Sequence, residues 1–208
     1  MPDGLILYTN PMSRGRIVRW MLEEVGAPYE ARILSYGEGM KAPDFLALNP
    51  MGKVPTLVHE GVVVTEVAAI CAYLAETFPD AGLLPRSASE RAAYYRWMFF
   101  AAGPLEAAVT NRTLGVTVPD EKRAFVGYGS YETALDALEG AVSVSSFIAG
   151  DRFTGADVYV GSHVAWGLQF GSIERRPAFE AYAERVRSRP AYRRATEIDD
   201  ALLAAAKG

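Results

Sequence analysis

A chain of 208 residues and 22.6 kDa, half of it hydrophobic and 22% charged, has room for one or two domains with a sizeable core. Its 21 Lys and Arg against 25 Asp and Glu leave a formal charge of −4, which offers no electrostatic case for nucleic acid as a partner. A single cysteine, Cys71, excludes an intrachain disulfide and a cysteine-rich zinc site, and the two histidines, His59 and His163, stand far outside metal-ligand spacing, so no metal site is expected.

The N-terminus, Met1-Pro2-Asp3-Gly4, carries an acid and then a short apolar run, not the basic start and long apolar stretch of a secretory signal. Leu5 to Tyr8 is strand-like and ends at Asn10-Pro11. From Arg14 to Val25, the residues Ile17, Val18, Met21, Leu22 and Val25 recur at helical spacing, and Gly26 with Pro28 stops the helix. Tyr29 to Leu34 reads as a second strand and Ala42 to Leu48 as a short helix closed by Asn49-Pro50. Val54 to Val58 and Val62 to Thr65 are β-branched runs around His59-Glu60-Gly61, a hairpin signal. Glu66 to Phe78 is helical, and its apolar run from Val67 to Ala75 is far short of the roughly 20 residues that cross a bilayer. No membrane association is expected, and the default location is the cytoplasm. The order βαβαββα describes an α/β unit with one mixed sheet.

Pro79 to Pro85 is the candidate linker. Helical windows then cover Ala88–Leu114, Asp120–Ala141, Thr154–Phe170, Pro177–Ser188 and Ala191–Ala206, with no convincing strand after residue 86. The chain therefore divides into an α/β domain at 1–79 and an all-α domain at 87–208.

Three features can carry chemistry. Ser13 sits in the turn Asn10 to Arg16, just before a helix N-terminus, where free N–H groups and the helix dipole favour an anion. A hydroxyl there can also donate to a thiolate. Moving a thiol from a pKa near 8.5 down by two units takes about 2.7 kcal/mol, within reach of a charge-assisted hydrogen bond of about 1.5–3 kcal/mol plus the helix tip. A simple N-cap role is the alternative. Val54-Pro55 opens a strand, and if that bond is cis the Val54 backbone turns outward towards a peptide-like ligand. Glu66 lies at a strand–helix junction, where it can complement the dipole or accept a ligand ammonium.

Together these segments resemble the cytosolic glutathione transferases, in particular bacterial members, over essentially the whole chain. The resemblance rests on Tyr8 to Glu24 (YTNPMSRGRIVRWMLEE), Lys41 to Leu57 (KAPDFLALNPMGKVPTL), Thr65 to Leu74 (TEVAAICAYL) and the capping box Thr154-Gly155-Ala156-Asp157. It implies a thioredoxin-like βαβαββα N-terminal domain for glutathione and a helical C-terminal domain for an apolar electrophile. It also implies a cytoplasmic homodimer active in detoxification.

At matching positions, Ser13 would activate the thiol, and Lys41 and Lys53 would meet the glycine carboxylate end. Val54 would pair its backbone with the cysteinyl part ahead of a cis Pro55, and Glu66 would hold the γ-glutamyl end. Two departures stand out. The family usually has Ser after that Glu, where this chain has Val67, leaving only its N–H for the γ-glutamyl carboxylate. Arg14-Gly15-Arg16 is similar to tyrosine-type members and makes Tyr8 a rival to Ser13. On the same fold, a glutathione-dependent reductase, isomerase or etherase, or a non-catalytic binding protein, are the other readings. Cys71 is expected in the core, His59 in the hairpin, and His163 in helix packing.

Overall fold

The structure, a computed structural model, describes residues 4–206, so Met1 to Asp3, read above for a targeting signal, lie outside the described residues. The chain forms two compact units. One runs up to Leu83 and takes back the chain from Ser188, and the other is Leu84–Arg187. The final helix, counted by chain order with the helical part, thus belongs to the first unit. Among the described residues, no helix is long and apolar enough to cross a membrane.

In the first unit, β1 (Leu5–Thr9), β2 (Tyr29–Ile33), β3 (Thr56–His59) and β4 (Val62–Thr65) form one mixed sheet in the order β2-β1-β3-β4. β1 and β2 are parallel, while β3 runs antiparallel to both β1 and β4. Between them come α1 (Gly15–Val25), the single turn α2 (Glu38–Lys41) and α3 (Pro43–Leu48), and after β4 comes α4 (Val67–Thr77). The expected βαβαββα order holds, with α2 as an added turn. The apolar stripe of α1 buries Ile17, Val18, Met21 and Leu22, and Gly26 ends the helix by donating its N–H to Leu22 O at 3.0 Å. β3 begins at Thr56 rather than Val54 because Pro55 has no N–H to give a ladder.

The last helix, α10 (Pro190–Ala205), packs along α1. Trp20 meets Tyr192 edge-on, with ring centroids 5.0 Å apart, and Arg189 grips Glu24 through two bonds of 2.6 Å. Beneath them, Arg19 Nε donates to Asp199 Oδ1 at 2.9 Å, and the two side chains are only 2% and 0% exposed. Arg19 also donates to the Tyr29 hydroxyl, which in turn donates to Glu23. Burial pushes the Asp199 carboxyl up, against the pull of Arg19.

A paired charge at such depth is weak net stabilisation, but an unpaired one is costly. Asp199→Ala is therefore expected to lower the unfolding free energy by about 3–5 kcal/mol, whereas Arg19→Met with Asp199→Leu stays close to wild type. Urea denaturation of both variants checks this, and equal losses would contradict it.

The second unit contains α5 (Ala88–Phe100), α6 (Glu106–Thr113), α7 (Tyr131–Val144), α8 (Gly155–Phe170) and α9 (Pro177–Arg187). The first window is helical throughout, but not α-helical throughout. Pro104 lacks an N–H and its ring crowds the carbonyl four residues back, and residues Ala101–Leu105 widen into a π-turn that joins α5 to α6. The second window also shortens. Asp120–Phe125 makes only a 3-10 turn, and α7 starts after Gly129, where Ser130 Oγ accepts from Thr133 N–H at 3.1 Å.

The capping box expected at Thr154 and Asp157 is formed and starts the buried helix α8. The fully buried Asp157 carboxylate accepts from Thr154 N–H at 2.8 Å, Thr154 Oγ1 at 3.1 Å, Ile148 N–H at 2.8 Å and the Tyr182 hydroxyl at 2.9 Å.

Candidate functional site

The strand register collects the candidate segments. Tyr8 on β1 pairs with Thr56 on β3, and Thr56 pairs with Thr65 on β4. The turn after β1, the Val54-Pro55 lead into β3 and the Glu66-Val67 step into α4 therefore meet at one end of the sheet.

The 10–13 turn is held from several sides. Asn10 Nδ2 donates to Leu34 O at 2.8 Å, and its Oδ1 accepts from Met12 N–H at 2.9 Å, an Asx turn. Tyr36 adds a hydroxyl bond to Met12 O at 3.2 Å. Ser13 is half-buried at the tip of α1, and its Oγ accepts from Gly15 N–H at 2.9 Å while donating to Asn10 O at 2.7 Å. The N-cap position itself is Arg14, so Ser13 stands one residue ahead of it: its oxygen takes the Gly15 N–H on one lone pair and its proton goes to Asn10 O.

Tyr8 lies one residue before Thr9 on β1, so these two side chains leave opposite faces of the sheet. Its ring packs against Phe45 at 5.6 Å, and its hydroxyl accepts from Arg32 Nη1 at 2.8 Å, with the guanidinium carbon 5.4 Å from the ring centre.

The Val54-Pro55 peptide bond is cis. The Lys53 carbonyl accepts from Asn49 Nδ2 at 2.8 Å and Thr56 Oγ1 at 3.2 Å, fixing the loop from inside. The N–H and C=O of Val54 and the ammonium of Lys53 have no partner among the described residues. Lys41 Nζ reaches the same loop, donating to Met51 O at 3.0 Å and Gly52 O at 3.3 Å. Gly52 has φ +58°, and a Cβ there would stand 2.7 Å from both Met40 O and Lys41 Nζ, so only glycine fits.

Glu66 has φ 67° and ψ 121°, a left-handed backbone that costs a non-glycine residue about 1–3 kcal/mol. It is exposed, and it hands the chain to Val67, the first and buried residue of α4.

The remaining residues singled out above stand elsewhere. Cys71 is in the core, where burial pushes its thiol well up. His59 Nδ1 lies 2.9 Å from the Tyr73 hydroxyl beside the β3–β4 hairpin. His163 packs against Tyr159 within α8, with ring centroids 4.7 Å apart. Among the described residues, no three His, Cys, Asp or Glu side chains form a metal-binding group. Sequence reasoning missed Asn10, Tyr36 and Arg32. Only Asn10, in an Asn-Pro turn, carried a readable signal.

A thioredoxin-like α/β unit and an all-helical unit in one chain define the fold class. Residues 12–77 match the family profile "Glutathione S-transferase, N-terminal domain", and residues 118–190 match "Glutathione S-transferase, C-terminal domain". Glutathione S-transferase 3 of Zea mays is 31% identical over 208 residues, covering 91% of this chain and 92% of its own. Glutathione S-transferase GST-4.5 of Xanthomonas campestris is 30% identical over 192 residues, covering 86% and 91%. Among solved structures, a glutathione transferase from Methylococcus capsulatus superposes with a TM-score of 0.76 at 28% identity, covering 94% of this chain and 98% of its own. The theta class glutathione S-transferase of Xanthomonas axonopodis pv. citri with glutathione bound gives 0.73 at 29% identity, covering 94% and 98%. The chain belongs to the glutathione S-transferase family of enzymes.

Proposed function

We propose that this protein transfers glutathione, as its thiolate, to an electrophilic carbon of an apolar substrate, with Ser13 holding the thiolate. The observation that carries this reading is the Ser13 hydroxyl just ahead of α1, its oxygen accepting from Gly15 N–H and its proton given to Asn10 O. Turning that proton from Asn10 O to sulfur exchanges a neutral acceptor for a charged one, which gives the stronger bond. Tyr8 ranks second as the activator: it lies on β1 against Phe45, away from the first turn of α1, although its oxygen accepts from Arg32 and its proton stays available.

The remaining roles follow the segments gathered at this end of the sheet. The free N–H and C=O of Val54, ahead of Pro55, would pair with the cysteinyl backbone as one more ladder step. Lys41 and Lys53 would face the glycine carboxylate. Glu66 would accept the γ-glutamyl ammonium, and Val67 N–H at the start of α4 would meet the γ-glutamyl carboxylate. The helical unit would supply the apolar site. A homodimer, a cytoplasmic location and a detoxifying role complete the reading on family membership alone, and no metal enters it.

Calorimetric titration with glutathione should give one saturable site in the micromolar to millimolar range, and no heat at millimolar glutathione would overturn the reading. Lys41→Met should raise KM for glutathione about tenfold with kcat unchanged, the signature of binding lost equally from ground and transition states. A fall in kcat at constant KM would remove Lys41 from the carboxylate role.

A further inference from the structure

Thr9 ends β1 fully buried, and its hydroxyl has no hydrogen-bond partner among the described residues. Such a group is uncommon, because an isosteric Val would fill the same space without burying an unpaired donor. The hydroxyl lies directly beneath the Ser13 turn. A Cβ on Gly15 would stand 1.9 Å from Thr9 Oγ1 and 3.0 Å from Ser13 Oγ. Only a bare glycine lets these two oxygens approach one small space under the first turn of α1.

Ser13 Oγ has one proton and two lone pairs, and the Gly15 N–H uses one of those lone pairs. The other can take a second donor, and the buried Thr9 hydroxyl nearby has a proton and no acceptor among the described residues.

We propose that Thr9 is a positioning residue for the thiol chemistry, its hydroxyl donating to Ser13 Oγ when the Ser13 proton turns to the ligand sulfur. Thr9, Ser13 and the thiolate then form a chain in which each hydrogen bond polarises the next, and Ser13 becomes a better donor. The two hydroxyls are not hydrogen-bonded in the structure, so the chain closes by an inward shift of the 10–13 turn. This inference rests on the assignment of Ser13 as thiolate holder.

The test titrates the thiol of enzyme-bound glutathione by thiolate ultraviolet absorbance and measures kcat/KM with an aryl halide against pH. Thr9→Val is expected to raise the bound thiol pKa by about half a unit to one unit and to lower kcat/KM at pH 6.5 about 3- to 10-fold. Thr9→Ser, which keeps the hydroxyl, should titrate like wild type. In a Ser13→Ala background, Thr9→Val should change nothing further. If Thr9→Val does not fold, Thr9→Ala against Thr9→Ser provides the same contrast. A Thr9→Val enzyme with the wild-type titration overturns the inference while leaving Ser13 in place. A Ser13→Ala enzyme with the wild-type titration overturns the Ser13 assignment and this inference with it.

Discussion

In Ser13→Ala, the thiol of bound glutathione is expected to titrate about one to two units higher than in the wild type, and kcat/KM at pH 6.5 falls about 10- to 100-fold. The range follows from losing one charge-assisted hydrogen bond of about 1.5–3 kcal/mol while the helix tip and its N–H groups remain. The pH dependence carries a sign. Where the thiol is mostly protonated, the rate tracks the thiolate fraction, so the loss is largest at low pH. By about pH 9 both enzymes carry thiolate and the gap narrows. Substitution also removes the acceptor for Gly15 N–H, at a cost of about 1 kcal/mol in stability, which a thermal melt reads separately. A variant that keeps both its activity and its bound-thiol pKa would assign the chemistry to another hydroxyl, with Tyr8 first in line.

An effect on stability as large as that at Asp199 is expected at Asp157. Four donors converge on its fully buried carboxylate, from the α8 start, the 147–150 turn and α9. Asp157→Ala leaves Ile148 N–H, Thr154 N–H and the Tyr182 hydroxyl buried without an acceptor. At about 1–3 kcal/mol each, partly relieved by relaxation, the loss is about 4 kcal/mol, a large share of a typical total of about 5–15 kcal/mol. Asp157→Asn should recover part of this, because the amide oxygen still accepts from Ile148 and Tyr182 while its NH2 cannot serve Thr154.

Burial pushes the Asp157 carboxyl up from 3.8 to about 6, even with its four donors. The folded state therefore takes up this proton more readily than the unfolded one. The associated stability is fully present below 3.8 and is lost as the pH rises through about 6. Urea denaturation of wild type and Asp157→Asn between pH 4 and 7 should show the difference shrinking or inverting upward through that window, and a pH-independent difference would rule out the raised pKa.

The periodic parts of this fold were legible in the chain because local chemistry decides them. The apolar spacing of α1, its Gly26 stop, the β3–β4 hairpin and the Thr154–Asp157 box are each set by neighbours within a few residues. What escaped depends on partners distant in sequence. Nothing local in Ala191–Ala206 says that Asp199 will pair with Arg19, so α10 was counted with the helical part. Pro104 was visible, but whether a proline breaks or widens a helix depends on what packs around it. At the candidate site, residue types and chain positions were readable, while side-chain direction was not. Tyr8 ends on β1 while Ser13 reaches the helix tip through the turn that follows, and only the folded turn shows which hydroxyl stands there. Thr9 carried no signal at all, because a threonine ending a strand is ordinary until its burial is known.

The return of α10 to the first unit has a consequence for the order in which the protein is made. Arg19 and Asp199 are 180 positions apart, so at about 5–20 residues per second roughly 10–40 s of translation separate the two. Through that interval the nascent α/β unit holds a cation destined for burial with no carboxylate to receive it, and the α1 face that meets Tyr192 stays uncovered. The helical unit, Leu84–Arg187, leaves the ribosome whole before that gap closes. The half of the molecule that begins first is finished last, and any arrest before α10 emerges would strand it in a form that exposes Trp20 and an unpaired Arg19.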